Sequence, residues 1–138
     1  MARNRFLAEV LTPEGPVFKE EIEMLSTRTT VGSIGLLAGH EPLLARLEPT
    51  ELRLYRSEGE IVRFAQAEGY VQMSANGALV LVEEALDPAK LDAAALEERV
   101  AAARSAAEAA PAGSEEAARA DRDRRRAEAF LAIARGAH

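Results

Sequence analysis

The feature that most constrains this chain is a change of texture at Asp87-Pro88. Before it, from Phe6 to Val82, short runs of alternating or β-branched apolar residues are broken by Gly, Pro and Asn at the intervals of an all-β sandwich or barrel. After it the chain turns to Ala, Leu, Glu and Arg, with apolar residues recurring at spacings of three and four. A period of two does not sit still as a helix, nor a period of 3.6 as a strand. The expectation is an α+β fold: an N-terminal β-sandwich over residues 1–87, then a C-terminal antiparallel two-helix hairpin over residues 88–138.

Within the first part, Phe6, Ala8 and Val10 share one face. Thr12-Pro-Glu-Gly15 reads as a turn, before Val17-Phe18 and an Ile22/Met24 strand. Leu52/Leu54 leads into Ser57-Glu-Gly59, Val62/Phe64 into Glu68-Gly69, and Val71/Met73 into Asn76-Gly77, the strongest hairpin signal present. The run Ala78-Leu-Val-Leu-Val82 is apolar on both faces, which suits a strand between its own sheet and a second layer, with the helical tail a candidate cover.

In the tail, Asp87 is placed to cap a helix and Pro88 to be its first residue. Ala89, Ala93, Leu96, Val100, Ala103 and Ala107 form an apolar seam on a helix of about 35 Å if it runs to Ala110. Pro111-Ala-Gly113 ends it, and Ser114, with Glu116 following, caps a second helix whose stripe is Ala117, Ala120, Ala127, Leu131 and Ala134. Seams built mainly of Ala hold weakly, at about 0.8 kcal/mol per buried methylene. That would let the hairpin move; equally, Ala is simply a good helix former.

Charge narrows the choice of partner. The net charge of -6 comes entirely from residues 1–87, which carry 8 basic and 14 acidic side chains against 9 of each beyond. An acidic front argues against nucleic acid, whose binding depends on concentrated Lys and Arg. The absence of Cys excludes disulfides and thiolate metal sites. Glu9 interrupts the opening apolar stretch too early for a signal peptide, and no run approaches the roughly 20 apolar residues of a membrane span, so no direct membrane insertion is expected.

Catalysis would need a nucleophile, base or metal constellation, and the chain offers two histidines. His138 is the last residue and is expected to fray. His40 lies in Gly32-Ser-Ile-Gly35-Leu-Leu-Ala-Gly39-His-Glu-Pro-Leu-Leu44, and one histidine makes neither a triad nor a metal site; the bland reading is a turn residue bonding the backbone. The segment lacks the Gly-Lys-Ser/Thr of a phosphate loop, so Gly32, Gly35 and Gly39 read as turn residues, with Pro42 stiffening the return. No catalytic residue, metal or cofactor is expected. Arg119, Arg122 and Arg126 lie along one side of the second helix, where five Arg face two Asp between 119 and 126. They are either a solvated face or a surface for an acidic partner.

The Gly-rich segment also carries a resemblance. Val31-Gly-Ser-Ile-Gly-Leu-Leu-Ala-Gly-His-Glu-Pro-Leu-Leu44 resembles the signature G-x-[IL]-G-[IV]-[LY]-P-G-H-x-P-L-[LV] of epsilon subunits of bacterial F-type ATP synthases. Val10-Leu-Thr-Pro-Glu-Gly-Pro-Val-Phe18, Glu51-Leu-Arg-Leu54 and Glu68-Gly-Tyr-Val71 resemble that family at its usual spacing. Ala38 and Thr50 depart from it, standing where Pro and Gly are usual.

The resemblance implies a non-catalytic rotor subunit of the central stalk, on the cytoplasmic face of the bacterial plasma membrane. Its sandwich would bind the gamma subunit and the c-ring, coupling proton flow to ATP synthesis, and its hairpin would restrain ATP hydrolysis by reaching the alpha/beta catalytic head. Carried over from the family's loop, Ser33 and His40 become c-ring contact candidates; the family's extended tail meets acidic segments of beta, which makes the basic stripe of Arg119, Arg122 and Arg126 the candidate contact there. Members that bind ATP carry [IL]-D-x-x-R-A at the first helix, but here Leu91-Asp92-Ala-Ala-Ala-Leu96 lacks the Arg and the Ala. Asp92, Arg122 and Arg126 are what remains of a nucleotide site, and weak or absent ATP binding is expected. The competing class is a free-standing nucleotide-sensing regulatory protein.

Overall fold

The computed structural model describes residues 4–136; Arg3 and His138 lie outside them. The chain divides into two compact units, one ending at Asp87 and the other beginning at Pro88.

The first unit holds β1 (Phe6–Thr12), β2 (Gly15–Ile22), β3 (Met24–Thr29), β4 (Gly32–Leu37), β5 (Leu43–Leu47), β6 (Thr50–Ser57), β7 (Glu60–Gln66), β8 (Gly69–Ser74), β9 (Gly77–Val82) and β10 (Ala85–Leu86). They form a β-sandwich. One layer runs β5-β8-β9-β1-β2, with β1 and β9 parallel, and the other β10-β7-β6-β3-β4. Among the described residues, the ladder passes from one layer to the other through the pair Thr29 and Leu47. The inner faces share a single apolar cluster, with Phe6, Ala8 and Val10 from β1 packed together with Leu25, Leu54, Val71 and Val80. Phe18 of β2 meets Phe64 of β7 edge to face across the layers.

Three hairpins use one turn device, Ser or Thr followed two residues later by a free N–H and three later by Gly. Thr12 Oγ1 accepts from Glu14 N, Thr29 Oγ1 from Val31 N, and Ser74 Oγ from Asn76 N, each at 3.2 Å. Gly15, Gly32 and Gly77 then take positive φ, which their lack of Cβ permits. The Asn-Gly pair therefore works differently from the sequence expectation: Asn76 keeps negative φ and Gly77 alone turns. Gly77 is needed twice over, since a Cβ there would lie 2.2 Å from the Leu7 carbonyl oxygen.

Two expectations in this unit are corrected. Ile22 and Met24 do not share a strand; the chain bends at Glu23, whose N–H is held by Tyr55 O at 2.8 Å, and so passes from one layer to the other. Gly35 is not a turn residue but lies within β4 opposite Ser26.

The second unit opens with a 3-10 turn, Pro88–Lys90, followed by α1 (Ala93–Ala109) and α2 (Glu115–Ala134), two C-terminal helices packed as a hairpin. Asp87 does not cap α1. Asp92 does, accepting from Ala94 N and Ala95 N, because the tight turn after Pro88 delays the helix by five residues. That shortens α1 to about 26 Å. Ser114 caps α2 by accepting from Ala117 N. The seam on α1 is Leu96, Val100 and Ala103, but on α2 Phe130 and Ile133 are buried where Leu131 and Ala134 were expected. A stripe written at seven-residue spacing drifts around a helix of 3.6 residues per turn, and the inward face moves with it.

Candidate functional site

Strand geometry sends alternate side chains to opposite faces, so burying Val71, Val80 and Val10 obliges Tyr70, Leu81 and Leu11 to point outward. The register brings them into one cross-strand row: Tyr70 lies opposite Leu81, Leu81 beside Leu11. In the next row, Leu44 lies opposite Gln72 and Gln72 opposite Leu79. Leu44 is 70% exposed, Tyr70 48% and Leu81 44%. Leu11 and Leu79 are half-buried, and Arg46, opposite Tyr70, is exposed at the margin. An apolar stripe exposed across several strands gains nothing within the chain, and such stripes are the kind of surface that partners cover. Sequence reasoning missed these residues, because β9 is apolar in both phases and alternation cannot say which phase is covered.

Ser33 and His40, the expected c-ring contacts, are not brought together. Ser33 sits near the start of β4, exposed, opposite Arg28. The strand's rise of about 3.3 Å per residue carries the chain some 13 Å from Ser33 to Leu37 before the turn that holds His40. His40 N–H donates to Leu37 O at 3.1 Å. The His40 ring hydrogen-bonds through Nδ1 to the Glu41 carbonyl at 2.8 Å. It lines an open groove of about 490 Å³ with Arg5, Glu21, Ser74 and Asn76. At the opposite end of β4, Val31 tops the β3–β4 turn at 95% exposure.

On α2, Arg119 and Arg122 are exposed and Arg126 half-buried. Among the described residues, Arg119 and Arg122 make no ion pair. Arg124 is engaged locally, at 2.6 Å from Asp121 and 3.1 Å from Glu128, which also accepts from Arg104 at 2.9 Å. The Arg124 hydrogen bond holds the Asp121 carboxyl below its ordinary range, and Arg104, with Arg124 beside it, does the same for Glu128.

The structure does not assemble Asp92 with Arg122 and Arg126. The Asp92 carboxylate is occupied with the helix N-terminus, at 3.0 Å from Ala94 N and 3.3 Å from Ala95 N. Arg135, which pairs with Glu97 in the early part of α1, marks the level of that end on α2. At about 1.5 Å per residue, Arg126 lies some 13 Å further along the axis and Arg122 some 19 Å. Among the described residues no cluster of His, Cys, Asp or Glu is arranged to hold a metal ion, and no helix is long and apolar enough to cross a membrane.

Residues 5–88 match the family model described as the ATP synthase delta/epsilon chain β-sandwich domain. The ATP synthase epsilon chain of Persephonella marina is 39% identical over 84 residues, covering 61% of this chain and 62% of that one. The ATP synthase epsilon chain of Priestia megaterium is 37% identical over 90 residues, covering 64% of this chain and 66% of that one. The matched stretch thus spans just under two thirds of these relatives' length. In fold, the chain is similar to one in the OSCP/F1/c-ring structure of Euglena gracilis mitochondrial ATP synthase, at a TM-score of 0.80 and 18% identity, covering 96% of this chain and 82% of that one. With more than half of its length matched, the chain belongs to the family of ATP synthase delta/epsilon chains that carry this β-sandwich domain.

Proposed function

We propose that the chain is a non-catalytic rotor subunit of the central stalk of a proton-translocating F-type ATP synthase, peripheral on the cytoplasmic face of the bacterial plasma membrane. The sandwich binds the gamma subunit through the outer face of β5, β8, β9 and β1. The two ends of β4, with Ser33 and Val31 at one and His40 past the other, contribute contacts to the c-ring. The hairpin acts toward the alpha/beta head and restrains ATP hydrolysis.

The observation that carries this reading is the stripe of Leu44, Tyr70 and Leu81, apolar and exposed on an otherwise acidic unit. An interface core is depleted in charge, more apolar than the surrounding surface and enriched in aromatic side chains, and this stripe is uncharged, apolar and carries Tyr70. The test is co-purification with gamma of the wild type and of the Leu44→Asp/Tyr70→Asp/Leu81→Asp variant. All three side chains point outward, so the variant is expected to fold, by near-ultraviolet circular dichroism, and to lose gamma. A folded variant that retains gamma overturns the assignment of this face.

A further inference from the structure

One end of the exposed apolar row closes into a small groove. It lies where β8 begins and β9 finishes, has a volume of about 330 Å³, and is walled by Leu11, Pro13, Tyr70, Leu81 and Val82. Gly69 also lines it, and a Cβ there would overlap the Leu81 carbonyl oxygen, so position 69 brings no side chain into the space.

The polar side chains around the groove are not equivalent. Thr12 is engaged within its own turn, donating from Oγ1 to Gly15 O at 3.3 Å and accepting from Glu14 N at 3.2 Å. Glu68 and Glu83 both line the groove, and Glu83 N–H donates to Glu68 O at 3.1 Å, which sets the two residues across from each other just past the Gly69–Val82 pair. Like charges placed opposite each other on neighbouring strands repel. Glu83 is exposed and makes no ion pair or side-chain hydrogen bond among the described residues. None of the described residues lining the groove is basic.

We infer that the groove seats one arginine side chain of the partner, its aliphatic stem against Tyr70 and Leu81 and its guanidinium between the carboxylates of Glu68 and Glu83. A cation held there offsets the repulsion between the two carboxylates, and the planar guanidinium offers a fork of donors to both while lying on an aromatic ring. A lysine ammonium, compact and more strongly hydrated, does less of each. The volume is at the floor of the range for small-molecule pockets, about 300–1,000 Å³, and suits a single long side chain. Because Leu11, Tyr70 and Leu81 belong to both the groove and the apolar row, one partner surface covers the two together, an apolar core with a charged rim. The acidic balance of residues 1–87, 14 carboxylates against 8 basic side chains, favours the approach of a basic group. The identity of that partner, gamma, rests on the proposed function; the inference adds the chemistry gamma has to bring.

Gamma binding is compared for the full-length wild type, Glu83→Gln and Glu14→Gln, the last removing the same charge from an exposed residue outside the groove. Glu83→Gln is expected to weaken binding about tenfold, the worth of one charge-assisted hydrogen bond, and Glu14→Gln by less than about twofold. On the full chain alone, N-acetyl-arginine amide is titrated and followed by NMR. Saturable shifts are expected at the amides of Gly69, Tyr70, Leu81 and Glu83, smaller with N-acetyl-lysine amide and absent in Glu68→Gln/Glu83→Gln. If these shifts appear but the wild type does not bind gamma, the groove stands and the choice of gamma fails. Gamma binding that Glu83→Gln weakens no more than Glu14→Gln does, or an arginine titration that leaves these amides unmoved or moves them equally in the double Gln variant, would overturn the inference and leave the rotor reading in place.

Discussion

Thr27 Oγ1 donates to Gln66 Oε1 at 2.5 Å in the interior of the sandwich, joining β3 to β7. The Gln66 amide then donates to Glu48 O at 2.9 Å and Ala67 O at 3.2 Å, so a fully buried polar side chain has every branch satisfied. Replacing it with a similarly sized apolar group removes the acceptor of the Thr27 hydroxyl and the amide donor to the Ala67 and Glu48 carbonyls, and each buried polar group left unsatisfied costs about 1–3 kcal/mol. Gln66→Leu should destabilise the sandwich by about 3 kcal/mol, and Thr27→Val, which strands one acceptor, by about half that. Urea unfolding of the two variants checks the ratio as well as the size.

Asp92 shows how one residue can be read for two purposes. As an N-cap its loss costs about 1 kcal/mol of helix stability, and Asn replaces it with little penalty. Asp92→Ala should lower the thermal midpoint of the helical signal, while Asp92→Asn should not. As a nucleotide ligand it is poorly placed, since its carboxylate faces the helix N-terminus and Ala95 stands where the ATP-binding motif has Arg. Titration calorimetry is expected to find weak or no ATP binding, and low-micromolar affinity would favour the nucleotide-sensing alternative.

Acid should unfasten the two layers of the sandwich at one corner. Glu20 of β2 accepts from both Arg56 Nε and Nη2 of β6, at 2.8 and 2.7 Å, and that hydrogen bonding holds its carboxyl below the ordinary range. A depressed folded-state value means that the contribution is present above the unfolded value, near pH 4.3, and is lost as the pH falls through the folded one. The same sign applies to Asp121 and Glu128 on α2. Wild type should be the more stable at neutral pH, and the gap to Glu20→Gln should close as the pH drops below 4. A gap that stays constant with pH would rule out the ion pair as its source.

What could be read from residues alone follows the range of the interactions involved. The turns at Gly15, Gly32 and Gly77 were legible, because they are local: Thr12, Thr29 and Ser74 close them with hydroxyls three residues from the glycines they serve. The cap of α1 was not, because Asp87 before Pro88 and Asp92 before Ala93 are equally good local signals. Choosing between them requires knowing that Pro88–Lys90 tightens into a 3-10 turn. The exposed apolar face was illegible for a further reason. Leu79 and Val80 are equally apolar, and only the pairing of β9 between β1 and β8 decides which points into the sandwich.

The arginines of α2 make the regulatory proposal specific. Between Arg119 and Arg126 five guanidiniums stand against two carboxylates, but they are not equivalent. Arg124 is held by Asp121 and Glu128, and Glu128 is also held by Arg104, so this group contributes to the hairpin's own integrity. Arg119 and Arg122 are exposed with no ion pair among the described residues, which leaves their charge directed at solvent or at an acidic partner. If the hairpin restrains hydrolysis by charge attraction to the head, deleting residues 88–138 should raise ATP hydrolysis by the reconstituted enzyme. Arg119→Ala/Arg122→Ala/Arg126→Ala should give part of that rise, and more at low salt than at high, because screening weakens attraction between exposed charges. Arg124→Ala should instead lower the thermal midpoint of the helices and change hydrolysis little beyond that. Equal hydrolysis by intact, truncated and triply substituted forms across a range of salt would show that the arginines are a solvated face and the hairpin a structural appendage.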